Sequence, residues 1–242
     1  MKNLKLWKYD IRNGFFCNKD KLLLIIPAVL ICRMQKFIPE WMLVNLCILY
    51  GTLNYTFSEF HTMGIQFLPR MGSRRMWWLS KCIWQVTFVC AAHFTVYLTA
   101  WILYLWMPQE EPYFFASRLL KNILVSEEQK NSGKWNVTLM MVLLAVAVSL
   151  LLNMIQMLLT LLMGLRYAFL TTLTVLVAIE IFDVGWLGND MLQGFFSMLQ
   201  TYGMGESREM IFLVFLCGLC VITALTGSVV FHRYDLTDLQ NG

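Results

Sequence analysis

The stretch VTLMMVLLAVAVSLLLNMIQMLLTLLM, residues 137–163, runs for 27 residues without a charged side chain. A helix needs about 20 mostly apolar residues to cross the hydrocarbon of a bilayer, so this segment decides the fold class. Working outward, residues 83–107, 167–183 and 211–230 make three further spans, the second of them somewhat short. Residues 41–57 reach the short end of the range. Residues 22–32 are purely apolar but only half a membrane long. They extend to a span over 22–38 by admitting Arg33 and Lys36, whose long side chains can snorkel to the outer interface. Composition agrees: 58% of the 242 residues are apolar, 14% are charged, and mean hydropathy is +0.60. Soluble domains run about 45–50% apolar and about 25% charged. The sequence therefore predicts an all-α polytopic membrane protein of about six spans. It argues against a soluble enzyme, a secreted disulfide scaffold and a nucleic-acid binder. The net charge of +4 needs no nucleic acid, because the positive-inside bias accounts for it.

Basic residues orient the chain. With the N-terminus inside, Lys2, Lys5, Lys8, Arg12, Lys19, Lys21, Arg70, Arg74, Arg75, Lys81, Arg166 and Arg233 are cytoplasmic. Arg33, Lys36, Arg118, Lys121, Lys130, Lys134 and Arg208 are outside, which is twelve against seven. Both termini are thus predicted to be cytoplasmic, and an odd number of spans would break the pattern. Residues 1–21 have no cleavage site after their apolar run and do not read as a signal peptide. Leu4, Trp7, Ile11 and Phe15 instead share one helical face, with Lys5, Lys8 and Arg12 beside it. That pattern predicts an amphipathic helix lying in the inner interface.

Catalytic chemistry is sparse. Cys217 and Cys220 have the CxxC spacing inside a span, with no second pair and no nearby histidine, and read as packing residues. His93 lies mid-span. It reads either as part of a substrate path or as a neutral imidazole hydrogen-bonded to a neighbouring helix. Glu180 and Asp183, one turn apart near the outer end of the fifth span, either line the same path or end the span at the interface beside Gly185 and Trp186. Glu110-Glu111 lacks the arginine that the Glu-Glu-x-x-x-Arg motif of membrane-embedded proteases requires. No GxSG, HExxH or phosphate-loop motif occurs. Outside, Glu110, Glu111, Glu127 and Glu128 flank a stretch whose Phe115, Leu119 and Ile123 share a helical face. These four acids are candidate contacts for a cationic substrate. Residues 185–209 are too apolar for a free loop and too broken by glycine for a span, which predicts short helices dipping into the outer leaflet.

The most informative segment is Arg70-Met71-Gly72-Ser73-Arg74-Arg75-Met76-Trp77-Trp78-Leu79-Ser80-Lys81. Basic residues flank two tryptophans that suit the interfacial belt. Pro69 and Gly72-Ser73 turn the chain, and a new short helix is predicted from Ser73, parallel to the inner surface. With this loop, the N-terminal helix, six spans and a length near 240 residues, the chain resembles a permease subunit of the type-2 exporter class of ABC transporters. It is similar in length to the small permeases of Gram-positive lantibiotic (bacteriocin) immunity transporters. The first span, short and charged, departs from that pattern. The resemblance implies that the 58–81 loop contains a coupling helix docking on a separate cytoplasmic ATPase. It assigns that contact to Glu59, Arg70, Gly72, Ser73, Arg74, Arg75, Trp77 and Trp78. It also implies ATP and Mg on a dimeric ATPase partner, no cofactor on this chain, a second permease chain (identical or homologous) and a bacterial plasma membrane. The expected function is a non-catalytic permease that exports a peptide antibiotic or another amphipathic substrate. The alternatives are a polytopic membrane enzyme or maturation protease with an unfamiliar motif, and a membrane scaffold or sensor.

Overall fold

A computed structural model describes residues 2–34, 40–59, 74–106, 134–183 and 206–233. These form seven helices, and there is no strand among the described residues. They are α1 (Lys2–Leu23), α2 (Ile25–Met34), α3 (Glu40–Glu59), α4 (Arg74–Trp106), α5 (Lys134–Met163), α6 (Leu165–Asp183) and α7 (Glu206–Arg233). All-α architecture is as the sequence predicts. Among the described residues three helices are long and apolar enough to cross a membrane: Arg74–Thr99, Val142–Met163 and Leu213–His232. Met42–Leu53 and Leu165–Ala178 are shorter apolar helices.

The chain breaks where its chemistry demands it. α1 and α2 are separated only at Leu24, four residues before Ala28 and three before Pro27. Proline has no N–H to offer the Leu23 carbonyl and its ring crowds that carbonyl, so the helix kinks there. On either side the Leu24 N–H still reaches Asp20 O and the Ala28 N–H reaches Leu24 O, both at 3.2 Å. The stretch read as a short first span therefore contains the ten-residue α2, set off from α1 by the kink, and at about 1.5 Å per residue α2 is about 15 Å long. α5 and α6 are joined by Gly164 alone, at φ 81°. Leu152 and Leu176, twelve residues before and after Gly164, pack together with Leu49 of α3, so α5 and α6 form a tight antiparallel hairpin.

α4 is the hub. Its Trp84, Phe88, Val89, Ala92 and Val96 form one core cluster with Ile25 and Val29 of α2 and Val44 and Ile48 of α3. Its first turns form another with Met154 and Met157 of α5 and Phe231 of α7. Three of its large aromatics are each seated against a glycine of a neighbour. Trp84 covers Gly14 of α1, Phe88 covers Gly51 of α3 and Trp78 covers Gly227 of α7. A Cβ on Gly51 would stand 2.6 Å from Phe88 Cζ, and the other two glycines are tighter still. Close packing against small residues, with no hydrophobic drive inside lipid, is how membrane helices associate.

The surface is inverted relative to a soluble bundle. Ile211, Val214, Phe215, Val221, Ile222 and Leu225 of α7 face outward, as do Phe94 and Trp101 of α4. Meanwhile Asp10, Asn18, Asn45, Thr52, Ser80, Lys81, Gln85, His93, Ser149, Asn153 and Gln156 are buried. Apolar side chains outside and hydrogen-bonding side chains between helices are the arrangement that a lipid solvent favours.

Candidate functional site

The site that the sequence marks is the start of α4. The separate surface helix expected from Ser73 is not a separate element: Arg74 opens α4, which continues without a break to Trp106. Nor do the two tryptophans face headgroups. Trp77 is 4% exposed and Trp78 fully buried. Trp77 stacks on Phe231 with ring centroids 5.0 Å apart, and Trp78 lies over the same ring at 6.0 Å. The Trp78 Nε1–H donates to the Ala224 carbonyl at 2.9 Å. That pairing satisfies the indole's one polar group, which is what allows the ring to be buried. Arg74 Nη1 donates to the His232 carbonyl at 3.4 Å. A cation at the last carbonyls of a helix also complements the helix dipole. Of the basic pair, Arg75 is the exposed member. Glu59 closes α3, and Arg70, Gly72 and Ser73 lie outside the described residues.

One turn further on, α4 is held by α1. Lys81 Nζ lies 2.6 Å from Asp10 Oδ1, with the lysine fully buried and the aspartate side chain 2% exposed. The Ser80 hydroxyl donates to the other oxygen of the same carboxylate, and the ammonium sits 5.1 Å from the centre of the Trp77 ring. Charge, hydrogen bond and ring face together satisfy a lysine that hydrocarbon would otherwise exclude. The contacts repeat along both helices in the same chain direction. Asp10 meets Lys81, Gly14 meets Trp84, and Phe15 lies 6.2 Å from Phe88. α1 thus runs beside α4. Its buried face is Asp10, Gly14 and Asn18, spaced at i, i+4 and i+8. The sequence places its apolar stripe of Leu4, Trp7, Ile11 and Phe15 in the interface. In the structure Trp7, Ile11 and Phe15 are half-buried, with Phe15 against the α4 core cluster, while Lys8 and Arg12 are exposed and Asp10, Gly14 and Asn18 are packed. The physical reason is local. Lys81 and Ser80 neutralise Asp10, Gly14 admits Trp84, and Asn18 Nδ2 turns back to the Gly14 carbonyl at 2.9 Å.

His93 sits in a hydrogen-bonded seam joining three helices. Its Nε2 is 2.9 Å from Ser149 Oγ of α5, and its ring stacks on Tyr97 with centroids 6.2 Å apart. Asn153 Nδ2 donates to the Ser149 carbonyl at 2.7 Å. The Thr52 hydroxyl of α3 donates to Asn153 Oδ1 at 2.6 Å. A serine hydroxyl beside an imidazole is half of a nucleophile–base arrangement. Ser149, however, is fully buried in mid-helix, where its own N–H serves the helix, and the contact acts as a bond between α4 and α5. His93 is thus hydrogen-bonded to a neighbouring helix.

Glu180 and Asp183 both fall in the last turn of α6. Glu110, Glu111, Glu127, Glu128 and the amphipathic stretch between them lie outside the described residues, as does most of 185–209. Cys217 and Cys220 take different faces of α7, the first exposed and the second buried. The sequence reading missed Asp10, Ser80, Gly227 and Phe231. Asp10 left one trace, an acid amid the basic and apolar residues of an otherwise amphipathic helix. Comparison of the chain with protein families, with curated proteins and with solved structures finds no match.

Proposed function

We propose that this chain is the membrane-spanning permease subunit of a heteromeric ABC exporter in a bacterial plasma membrane. In this reading it has six spans, with both termini and the 58–81 segment on the cytoplasmic side. A separate ATPase dimer carries ATP and Mg and docks at the start of α4, and a second permease chain completes the pathway. The substrate class is an amphipathic or cationic peptide, with Glu110, Glu111, Glu127 and Glu128 as its outer contacts.

One observation carries the reading. The first two turns of α4, directly after the basic loop, are fastened to α7 through Trp77, Trp78 and Arg74 and to α1 through Lys81, while Arg75 is exposed. A partner that pulls on this end moves three helices as one body. A lever of that kind is what an ATPase requires to bias a permease between two packings. The coupling contact in this form is Arg75 with the preceding loop, including Glu59, Arg70, Gly72 and Ser73. Trp77 and Trp78 transmit the movement from within the bundle.

The test is purification of the tagged chain from its native host in mild detergent, with identification of the polypeptides that co-elute. A stoichiometric nucleotide-binding subunit is expected. An enzymatic activity retained by the chain alone, with no ATPase in the preparation, would favour the membrane-enzyme alternative and overturn this one.

A further inference from the structure

The α4–α5 contact is antiparallel. His93 faces Ser149, and eight residues away on each helix Gln85 faces Met157, its Nε2 lying 3.8 Å from Met157 Sδ. On α5 the polar residues Ser149, Asn153 and Gln156 fall at i, i+4 and i+7 and so share a face. Gln85 and His93 are two turns apart on the facing side of α4. Gln85 and Gln156 are each 2% exposed. Gln85 Oε1 and Gln156 Nε2 have no hydrogen-bond partner among the described residues.

An amide group left unpaired between lipid-embedded helices is costly, and buried polar atoms in native proteins are nearly always satisfied. These two atoms are complementary, one an acceptor and the other a donor, on turns that the His93–Ser149 register brings opposite each other. A molecule that donates one hydrogen bond and accepts another satisfies both. We infer that Gln85 and Gln156 bind a buried water molecule between α4 and α5, which donates to Gln85 Oε1 and accepts from Gln156 Nε2. A water with two or more polar partners is the usual occupant of such a place. It extends the Thr52–Asn153–Ser149–His93 seam toward the Lys81 end of α4. The inference does not rest on the permease reading.

The test uses the full chain in detergent, comparing wild type, Gln85→Leu, Gln156→Leu and the double variant by thermal unfolding. Each single change is expected to lower the midpoint by roughly 2–4 °C, the size of a lost buried hydrogen bond in a protein of this length. The double variant should lose less than the sum of the two, because no polar group is then left behind. Single changes that raise the midpoint, or losses that simply add, overturn the inference. Should a variant fail to fold, a structure of the wild-type chain that resolves water decides the matter. It should show a solvent peak about 2.7–3.2 Å from both atoms. The two amides bonded directly to each other, or apolar atoms filling the space, overturn it.

Discussion

The Asp10 carboxylate and the Lys81 ammonium meet at 2.6 Å with both side chains closed off from the surroundings. This contact ties the first helix of the chain to the central one. It makes α1 part of the bundle, because a buried ammonium two turns into an apolar helix is tolerable only with its counter-ion in place.

Removing one member of that pair should therefore harm more than removing both. Asp10→Asn leaves Lys81 charged and unmatched, and a loss of about 3–5 kcal/mol is expected. Replacing both by apolar residues of similar size, Asp10→Leu with Lys81→Met, should recover most of it. Thermal unfolding of the purified chains checks this. A double variant as unstable as Asp10→Asn would show that the two residues do not act as a pair.

At the other side of α4, Trp78 fills the space left by the missing side chain of Gly227. Gly227→Ala should destabilise by about 1–3 kcal/mol through overpacking. The smaller ring of Trp78→Phe should relieve part of that cost, at the expense of about 1 kcal/mol for the lost bond to Ala224 O. A double-mutant cycle should give a coupling of at least about 0.5 kcal/mol. Additive effects would separate the two residues.

These two contacts mark the limit of what was legible in the sequence. Helix positions were legible because a run such as 137–163 has no other stable state in lipid, and α3 to α7 include the stretches read as spans. That a helix starts next to Ser73 was legible from Pro69 and Gly72-Ser73, and α4 does open at Arg74. Which way its tryptophans turn was not, since an interfacial indole and an indole capped by Ala224 O look alike in a linear sequence. The burial of Asp10, Gly14 and Asn18 on α1 was hidden for a related reason. An amphipathic stripe shows which face is apolar, whereas burial here follows from Lys81, Ser80 and Trp84, some seventy residues further on.

The α5–α6 turn offers a separate check. Gly164 occupies the left-handed region at φ 81°, where a Cβ costs about 1–2 kcal/mol. Its Cβ position is otherwise open, with nothing within 4 Å. Gly164→Ala should thus lower stability by about that amount and no more. A neutral or stabilising outcome in thermal unfolding would mean that the hairpin turns differently.

The basic residues predict an orientation, with the N-terminus inside. In a chain whose native cysteines have been replaced, cysteines introduced at Ser132 and Gly188 should react with an impermeant thiol reagent on intact cells. Those at Gly72 and Gly242 should react only after permeabilisation. Labelling of Gly72 from outside would reverse the orientation.

Arg75 is the residue on which docking of a separate ATPase at the start of α4 would turn, because it is exposed while Arg74, Trp77 and Trp78 are engaged with α7. A basic residue facing only lipid phosphates contributes about 1 kcal/mol. A charge desolvated against a protein partner costs roughly 2–5 kcal/mol to truncate, which is about thirtyfold to several thousandfold in affinity. The measurement is the amount of ATPase that co-purifies with wild-type and Arg75→Ala chains at equal expression and equal membrane insertion. A stoichiometric ATPase is expected with the wild type, and a loss of at least about thirtyfold in its affinity for the variant. Equal recovery with both chains, or no ATPase with either, would contradict it.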